Sequence, residues 1–254
     1  MMKVTVLGCG PSAGVPALKY GWGDCDENNS KNKRTRSSIV LEKSNTSVLI
    51  DMSPDLRQQL LDYGNSNFDA VIFTHSHYDH VNGINELRSV FFEQERLLPI
   101  YAAQDDMNNI KKSFFYLFEG NGVEIYKPYI EPHVMEGTFT IGDISGICFE
   151  QDHGFSKSRG IRVNNFAYST DVVSLSDESF EILNGIDTWI VDCLSLKSVK
   201  STHAHLDLVL EWVKKINPKR TFLTHMDTTM DYNTLLKILP ENIKPAYDQM
   251  TILV

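Results

Sequence analysis

Short runs of branched and aromatic residues recur along the chain, each bounded by polar or glycine-rich connections. They predict strands at 3–7, 38–42, 47–51, 70–74, 145–150, 166–169, 188–192 and 221–224. Several of these runs end on a polar residue, among them Asp51, Thr74, Ser169, Asp192 and Thr224. Helical spacing predicts a helix at 54–63, with Ser53 as N-cap, Pro54 at its first position and Gly64 as its stop. Further helices are expected at 102–118, 177–183 and 206–216. Strands alternating with helices define an α/β chain. Between Gly10 and Ser37 no periodicity is visible, and the stretch is longer than an ordinary connection, so it is either functional or mobile. No repeat or linker composition divides the chain, so residues 1–254 are expected to form one domain.

Composition narrows the function. Lys+Arg 24 against Asp+Glu 33 gives a net charge of −9, so no global positive field draws the protein to nucleic acid or anionic lipid. Phosphate recognition, if any, must be local. Cys9, Cys25, Cys148 and Cys193 lie far apart and make neither a C-x-x-C pair nor a disulfide framework. The opening Met-Met-Lys-Val-Thr-Val-Leu-Gly lacks a secretory pattern, so a cytoplasmic location is expected. No apolar run approaches membrane-spanning length.

The chemistry concentrates in Thr74-His75-Ser76-His77-Tyr78-Asp79-His80, which follows the apolar run Ala70-Val71-Ile72-Phe73. Imidazole and carboxylate are the ligands that zinc, manganese and iron share, and a turn after a strand aims alternate residues at one point. His75 and His77 can share one ion while Asp79 and His80 face a second, which suggests two metals rather than one. The plainer reading is a solvated turn leading into a helix near Asn82. More ligands are needed, and His153, Asp171 and His225 all follow predicted strands. Taken singly, each reads as a loop histidine or a turn-capping aspartate.

With these residues in place, the chain resembles the metallo-β-lactamase superfamily along its whole length. That resemblance implies an αββα sandwich with a two-metal centre at one edge of the two sheets. It implies that His75, His77 and His153 hold one ion, that Asp79, His80 and His225 hold the other, and that Asp171 bridges them. The cofactors expected are two divalent ions per chain, zinc or manganese, with iron also compatible. The start Leu7-Gly8-Cys9-Gly10-Pro11-Ser12-Ala13-Gly14-Val15-Pro16 is similar to the opening of the RNase Z and phosphoribosyl 1,2-cyclic phosphate phosphodiesterase branch. His203, 225 − 203 = 22 residues before His225, resembles the catalytic histidine of those phosphodiesterases. Gly23-Asp24-Cys25-Asp26 and the basic run after it resemble their long N-terminal loop. Two features depart: Cys25 alone cannot close the cysteine-rich structural zinc site of that loop, and no insertion matches the RNase Z arm that grips transfer RNA.

Gly8-Cys9-Gly10-Pro11-Ser12-Ala13 also satisfies a dinucleotide-binding pattern, but Pro11, Gly14 and Pro16 deny it the helix that pattern needs. Lys31, Lys33, Arg34 and Arg36 form a basic cluster that could attract an anionic substrate, with Arg36 the best placed because it adjoins a strand; a solvated loop is the plainer reading. Asp51 suits either a turn or the support of a ligand histidine. His133 reads as an ordinary loop or core residue.

The expected activity is therefore hydrolysis of a small phosphodiester, cyclic ones included, by a metal-bridging hydroxide. His203 serves as the acid that protonates the leaving alkoxide, and His205 is its reserve or a substrate contact. Thr202, His203 and His205 could instead merely cap the helix that follows. The competing class is acyl hydrolysis, of a glyoxalase II-type thioester or a β-lactam, and a metal-binding scaffold stands third. The partner expected is a small anionic substrate, with no large nucleic acid and no membrane; a homodimer is left open.

Overall fold

In a computed structural model, residues 1–93, 96–119, 128–198 and 202–254 are described. Two seven-stranded sheets carry the chain. The first has the order β14-β1-β2-β3-β4-β5-β6, from β1 (Lys3–Gly8), β2 (Ser38–Lys43), β3 (Thr46–Ile50), β4 (Ala70–Ile72), β5 (Leu98–Ala102), β6 (Ile130–Val134) and β14 (Met250–Leu253). The second runs β13-β12-β11-β10-β9-β8-β7, from β7 (Gly137–Ile141), β8 (Ile144–His153), β9 (Ser156–Val163), β10 (Phe166–Ser169), β11 (Thr188–Asp192), β12 (Arg220–Thr224) and β13 (Ile243–Pro245). In each sheet the pairing changes from antiparallel to parallel part-way across, at β3/β4 in one and at β10/β11 in the other. Parallel neighbours need crossovers, and helices supply them.

Alternation along each strand explains the layers. In β3, Val48 and Ile50 face the core between the sheets, whereas Leu49 faces the second core beneath helix α1 (Leu56–Tyr63). Both faces are buried, which is why the strand reads as unbroken Val-Leu-Ile rather than as apolar-polar alternation. Helix α7 (Leu206–Ile216) connects the parallel strands β11 and β12 and adds Leu206, Val209, Trp212, Val213 and Ile216 to the same contiguous apolar cluster from the helical side of the second sheet. The result is the αββα sandwich that the resemblance implied.

Several predicted bounds shift. Helix α1 begins at Leu56 and not at Pro54, because the Ser53 hydroxyl turns to Gln59 and to the Asp55 N–H instead of reaching further into the helix. Gly64 does end it, in the left-handed conformation. The predicted helix at 102–118 is broken. Ala102 belongs to β5, and two helices, α4 (Gln104–Ser113) and α5 (Phe115–Phe118), part at Phe114. The strand predicted at 145–150 continues to His153, because β9 pairs with it throughout. His133 lies in β6, an edge strand, where its ring stacks on Tyr101. Pro132 beside it is tolerable for the same reason.

The stretch from Gly10 to Ser37 is neither periodic nor loose. It holds one 3-10 turn, Ser30–Asn32, and is tied to the segment that follows β12. Arg34, buried, donates to the carbonyls of Asp227 and Met230, and Gly23 approaches Thr228 so closely that a Cβ would lie 2.6 Å from its side chain. Asp231 accepts from the Asp26 N–H at 3.2 Å, the Asn32 amide at 2.8 Å and the Thr234 N–H at 2.8 Å, and so caps α8 (Tyr232–Ile238) as it pins the loop.

Burial works against the charged Asp231 carboxylate, but these donors outweigh it and hold the pKa down to about 2. A carboxyl with a lowered folded-state pKa stabilises the fold above its unfolded value near 4, and this contribution disappears as pH falls through 2. Asp231→Ala is expected to cost about 2 kcal/mol near neutral pH. The gap from the parent should narrow as pH falls from about 4 toward 2, as urea denaturation across that range would read out.

Candidate metal centre

The site assembles at strand ends. After β4 the chain passes through Phe73 to His77 into a single-turn helix, α2 (Tyr78–Val81), whose first turn carries Asp79 and His80. The turn is fixed from three sides. Asp51, just past β3, accepts from the Thr74 N–H and hydroxyl at 2.8 Å each. Asp106 of α4 accepts from the Ser76 N–H at 2.9 Å, and the Arg159 N–H of β9 reaches across to the Thr74 carbonyl. From the second sheet come His153 at the end of β8, Asp171 beyond β10, Asp192 at the end of β11 and His225 directly after β12.

The seven expected ligands fall into two groups of donor atoms, His75 with His77 and His153, and Asp79 with His80, Asp171 and His225; two further groups bring in His203, one with His153 and Asp171 and one with Asp192 and His225. Asp171 stands between the first two. Its Oδ1 lies 3.8 Å from His75 Nε2, 3.7 Å from His153 Nε2 and 3.5 Å from His225 Nε2, while its Oδ2 lies 3.2 Å from His80 Nε2. Asp79 Oδ2 is 3.4 Å from His80 Nε2 and 3.7 Å from His225 Nε2. The Nε2 atoms of His75, His80 and His225 are buried and have no hydrogen-bond partner among the described residues. Buried imidazole nitrogens are ordinarily paired, so three orphans converging on two carboxylates match what a divalent cation requires. The residues present therefore fit divalent metal ions.

The far side of most rings is held. His80 Nδ1 lies 2.7 Å from Asp51 Oδ2, His153 Nδ1 2.9 Å from the Thr202 carbonyl and His75 Nδ1 3.1 Å from the Thr74 hydroxyl. Such outer partners fix tautomer and ring direction. Electrostatics follows the same pattern. Burial opposes a charge on His80, yet Asp171, Asp51 and Asp79 carry its pKa well above the usual imidazole range. Burial and then the neighbouring His80 push His75 well below it. Asp171 and Asp79 are held low by the imidazoles in spite of burial.

His203 stands at the edge of this cluster. Its Nδ1 is 2.9 Å from Asp192 Oδ2, its Nε2 is 3.9 Å from Asp171 Oδ1, and its ring stacks on that of His225 at 4.5 Å. Burial disfavours its charged form, but the Asp192 charge and hydrogen bond prevail and lift its pKa to about 9. Asp51, Asp171 and His225 all have positive φ, at 63°, 53° and 58°. Asp and His tolerate this region better than branched residues, and backbone strain collects where side chains must be aimed.

The Beta-lactamase superfamily domain model matches residues 46–226, which spans the histidine motif and every candidate ligand. The chain belongs to that family. An octanoyltransferase of Porphyromonas gingivalis (strain ATCC BAA-308 / W83) is 28% identical over 259 residues, covering 100% of this chain and 52% of that protein. The chain spans about half the length of the curated relatives it matches. Among solved structures, a diphosphatase from the PhnP family superposes with a TM-score of 0.91 at 29% identity, covering 100% of this chain and 98% of the other. The short form of human tRNase Z gives 0.70 at 16% identity over 99% and 98%, a likeness of fold alone.

Within this beta-lactamase-family frame, the seven residues expected as ligands come together, and His203 adjoins them. His205 does not join either donor group among the described residues; it occupies the N-cap position of α7 without a side-chain capping bond. Arg36 is held by Asp55, with its Nη1 2.9 and 3.0 Å from the two carboxylate oxygens, and its Nε donates to the Ser12 carbonyl. The pattern rejected as a dinucleotide fingerprint is a turn following β1, with no helix behind it. Sequence reasoning passed over Asp192, although it ends a predicted strand as Asp51 does. Thr202 acts through its carbonyl and leaves no side-chain signal.

Asp51→Asn keeps the side-chain volume but removes the charge that His80 faces. Zinc affinity measured by chelator competition should fall about ten- to a hundredfold. An unchanged affinity would reduce Asp51 to a shaper of the Thr74 turn.

Proposed function

We propose that the chain is a two-metal phosphodiesterase acting on small phosphodiesters, cyclic ones included. The observation that carries this reading is the Asp192–His203 pair at the rim of the donor cluster. When bound, divalent ions at this centre supply Lewis-acid polarisation of phosphoryl oxygens and activation of water. His203 does the rest of the acid chemistry. With Nδ1 anchored on Asp192, its Nε2 is the atom that faces the cluster, and a proton there can pass to an alkoxide leaving oxygen. Asp192 keeps the ring in that orientation and favours its charged form. Its Oδ2 also accepts the Val172 N–H at 2.9 Å, which couples the acid to the turn that carries Asp171.

The diphosphatase neighbour supports a phosphoryl rather than an acyl substrate. It also favours a second reading, cleavage of a diphosphate linkage, in which the leaving group is a phosphate and depends less on a donated proton. The two part on His203. On a diester with a poor alkoxide leaving group, His203→Ala should lower kcat by roughly 10²- to 10⁴-fold, with a much smaller loss on p-nitrophenyl diesters. Equal losses on both would make His203 a phosphate-positioning residue. S-lactoylglutathione or nitrocefin turned over faster than every phosphodiester and diphosphate would favour the acyl-hydrolase class instead.

Two ions per chain are proposed because the seven expected ligands fall into two donor groups with Asp171 between them. Elemental analysis of zinc- or manganese-replete protein should give a stoichiometry of two, and Asp171→Ala should lower it. A stoichiometry of one that Asp171→Ala leaves unchanged would remove the bridged centre.

A further inference from the structure

The hairpin that delivers His153 also displays an aromatic ring for which folding has no use. β8 and β9 close on the pair His153–Ser156, leaving Gly154 and Phe155 as the two turn residues. Gly154 has φ of 74°, and a Cβ there would lie 2.5 Å from Thr202 Cγ2, so the turn is pressed against the segment that carries His203. Asp152 secures it: one carboxylate oxygen accepts the Gly154 N–H at 2.9 Å, the other the Ser174 hydroxyl at 2.7 Å. On this fixed turn the Phe155 side chain is fully exposed, at 103% of its reference area. A glycine-first turn accepts a polar residue at its second position, so neither backbone nor core asks for phenylalanine.

A second exposed ring lies at the start of α2, beside the other histidine of a touching pair. Tyr78 directly follows His77, is half exposed, and has its hydroxyl fixed to the Ser12 carbonyl at 2.6 Å. His77 and His153 touch, with Nδ1 to Nε2 3.3 Å and ring centroids 5.0 Å apart. Each exposed aromatic is thus within two residues of one member of a touching pair of candidate ligands, one from each sheet. Isolated exposed apolar side chains are common on proteins. Two on restrained backbone, flanking the same pair of histidines, form a pattern.

We propose that Phe155 and Tyr78 form an aromatic rim that stacks on a nucleobase, so that the preferred substrates are nucleoside phosphodiesters of mononucleotide size. This rests on the phosphodiesterase reading above. Stacking suits an acidic protein, because it recognises a planar ring without a positive field, and every base offers such a face. The rim sets which diester is held, while the cluster and His203 act on the phosphate.

The test compares a nucleoside 2′,3′-cyclic phosphate with glycerol 1,2-cyclic phosphate on the metal-replete full chain. The parent should prefer the nucleoside by at least about tenfold in kcat/KM. Phe155→Ala should reduce that preference by about ten- to a hundredfold, mainly through KM. Phe155→Trp should retain it, and Phe155→Leu, which restores apolar area without a ring, should behave as the alanine variant does. Independently of turnover, quenching of 2-aminopurine riboside monophosphate fluorescence on binding should weaken in Phe155→Ala and persist in Phe155→Trp. A preference that is absent in the parent, or unchanged in Phe155→Ala, overturns the rim while leaving the phosphodiesterase standing. Failure of the parent to cleave either diester overturns the phosphodiesterase reading itself.

Discussion

A dense group of imidazoles and carboxylates is buried at the edge of an apolar sandwich, and most of the chain's other features can be traced to that demand. An uncompensated buried charge costs several kcal/mol, so each member of such a group must find an opposite charge, a hydrogen bond or a cation. Asp171 lies among five imidazole Nε2 atoms, and Asp51 and Asp192 hold the outward nitrogens of His80 and His203. Among the described residues, the inward nitrogens of His75, His80 and His225 remain unpaired, an arrangement that fits a divalent ion.

Only a particular topology can bring these groups together. β8, β10, β11 and β12 all run in one direction, since β9 is antiparallel to both β8 and β10 and the rest are parallel. Their ends therefore collect along one edge, as do those of β3 and β4 in the other sheet. The sheets share an order of antiparallel followed by parallel pairing, although no repeat is visible in the sequence. Likeness of topology survives where side-chain identity does not, because burial constrains polarity and volume more than identity.

Legibility in the sequence followed the same physics. β10 and β11 could be read to the residue, because a strand buried on both faces is a continuous apolar run bounded by polar ends. β5, β6, β7, β9, β13 and β14 carry no such signal, β5 because Pro99 interrupts it and β13 and β14 because they are only three and four residues long. Sequences such as Ile-Glu-Pro-His-Val and Ser-Lys-Ser-Arg-Gly-Ile-Arg-Val carry exposed positions and lack the apolar density that marks a central strand. The His75–His80 motif was legible because its ligands are consecutive in sequence. Asp192 was not, since its importance arises only when β11 stops beside the loops carrying Asp171 and His203. The loop before β2 had no periodicity to read because its order comes from long-range bonds, such as those of Asp231 and Asp248, to residues near the C-terminus.

Asp192 shows how support and chemistry share a single group. One of its oxygens accepts the N–H of Val172 and faces His203 Nδ1; the other lies 4.0 Å from His225 Nδ1 and has no hydrogen-bond partner among the described residues. The carboxylate thus touches the turn that carries Asp171 and the ring of His203, and it faces the candidate ligand His225 beyond β12. With His203 stacked on His225 and edge-on to His153, a displacement of one ring is felt by its neighbours. His203 and the candidate ligand cluster form one packed unit, which is why leaving-group dependence, and not the size of a rate loss, distinguishes the proposed proton donation by His203 from damage to the cluster beside it.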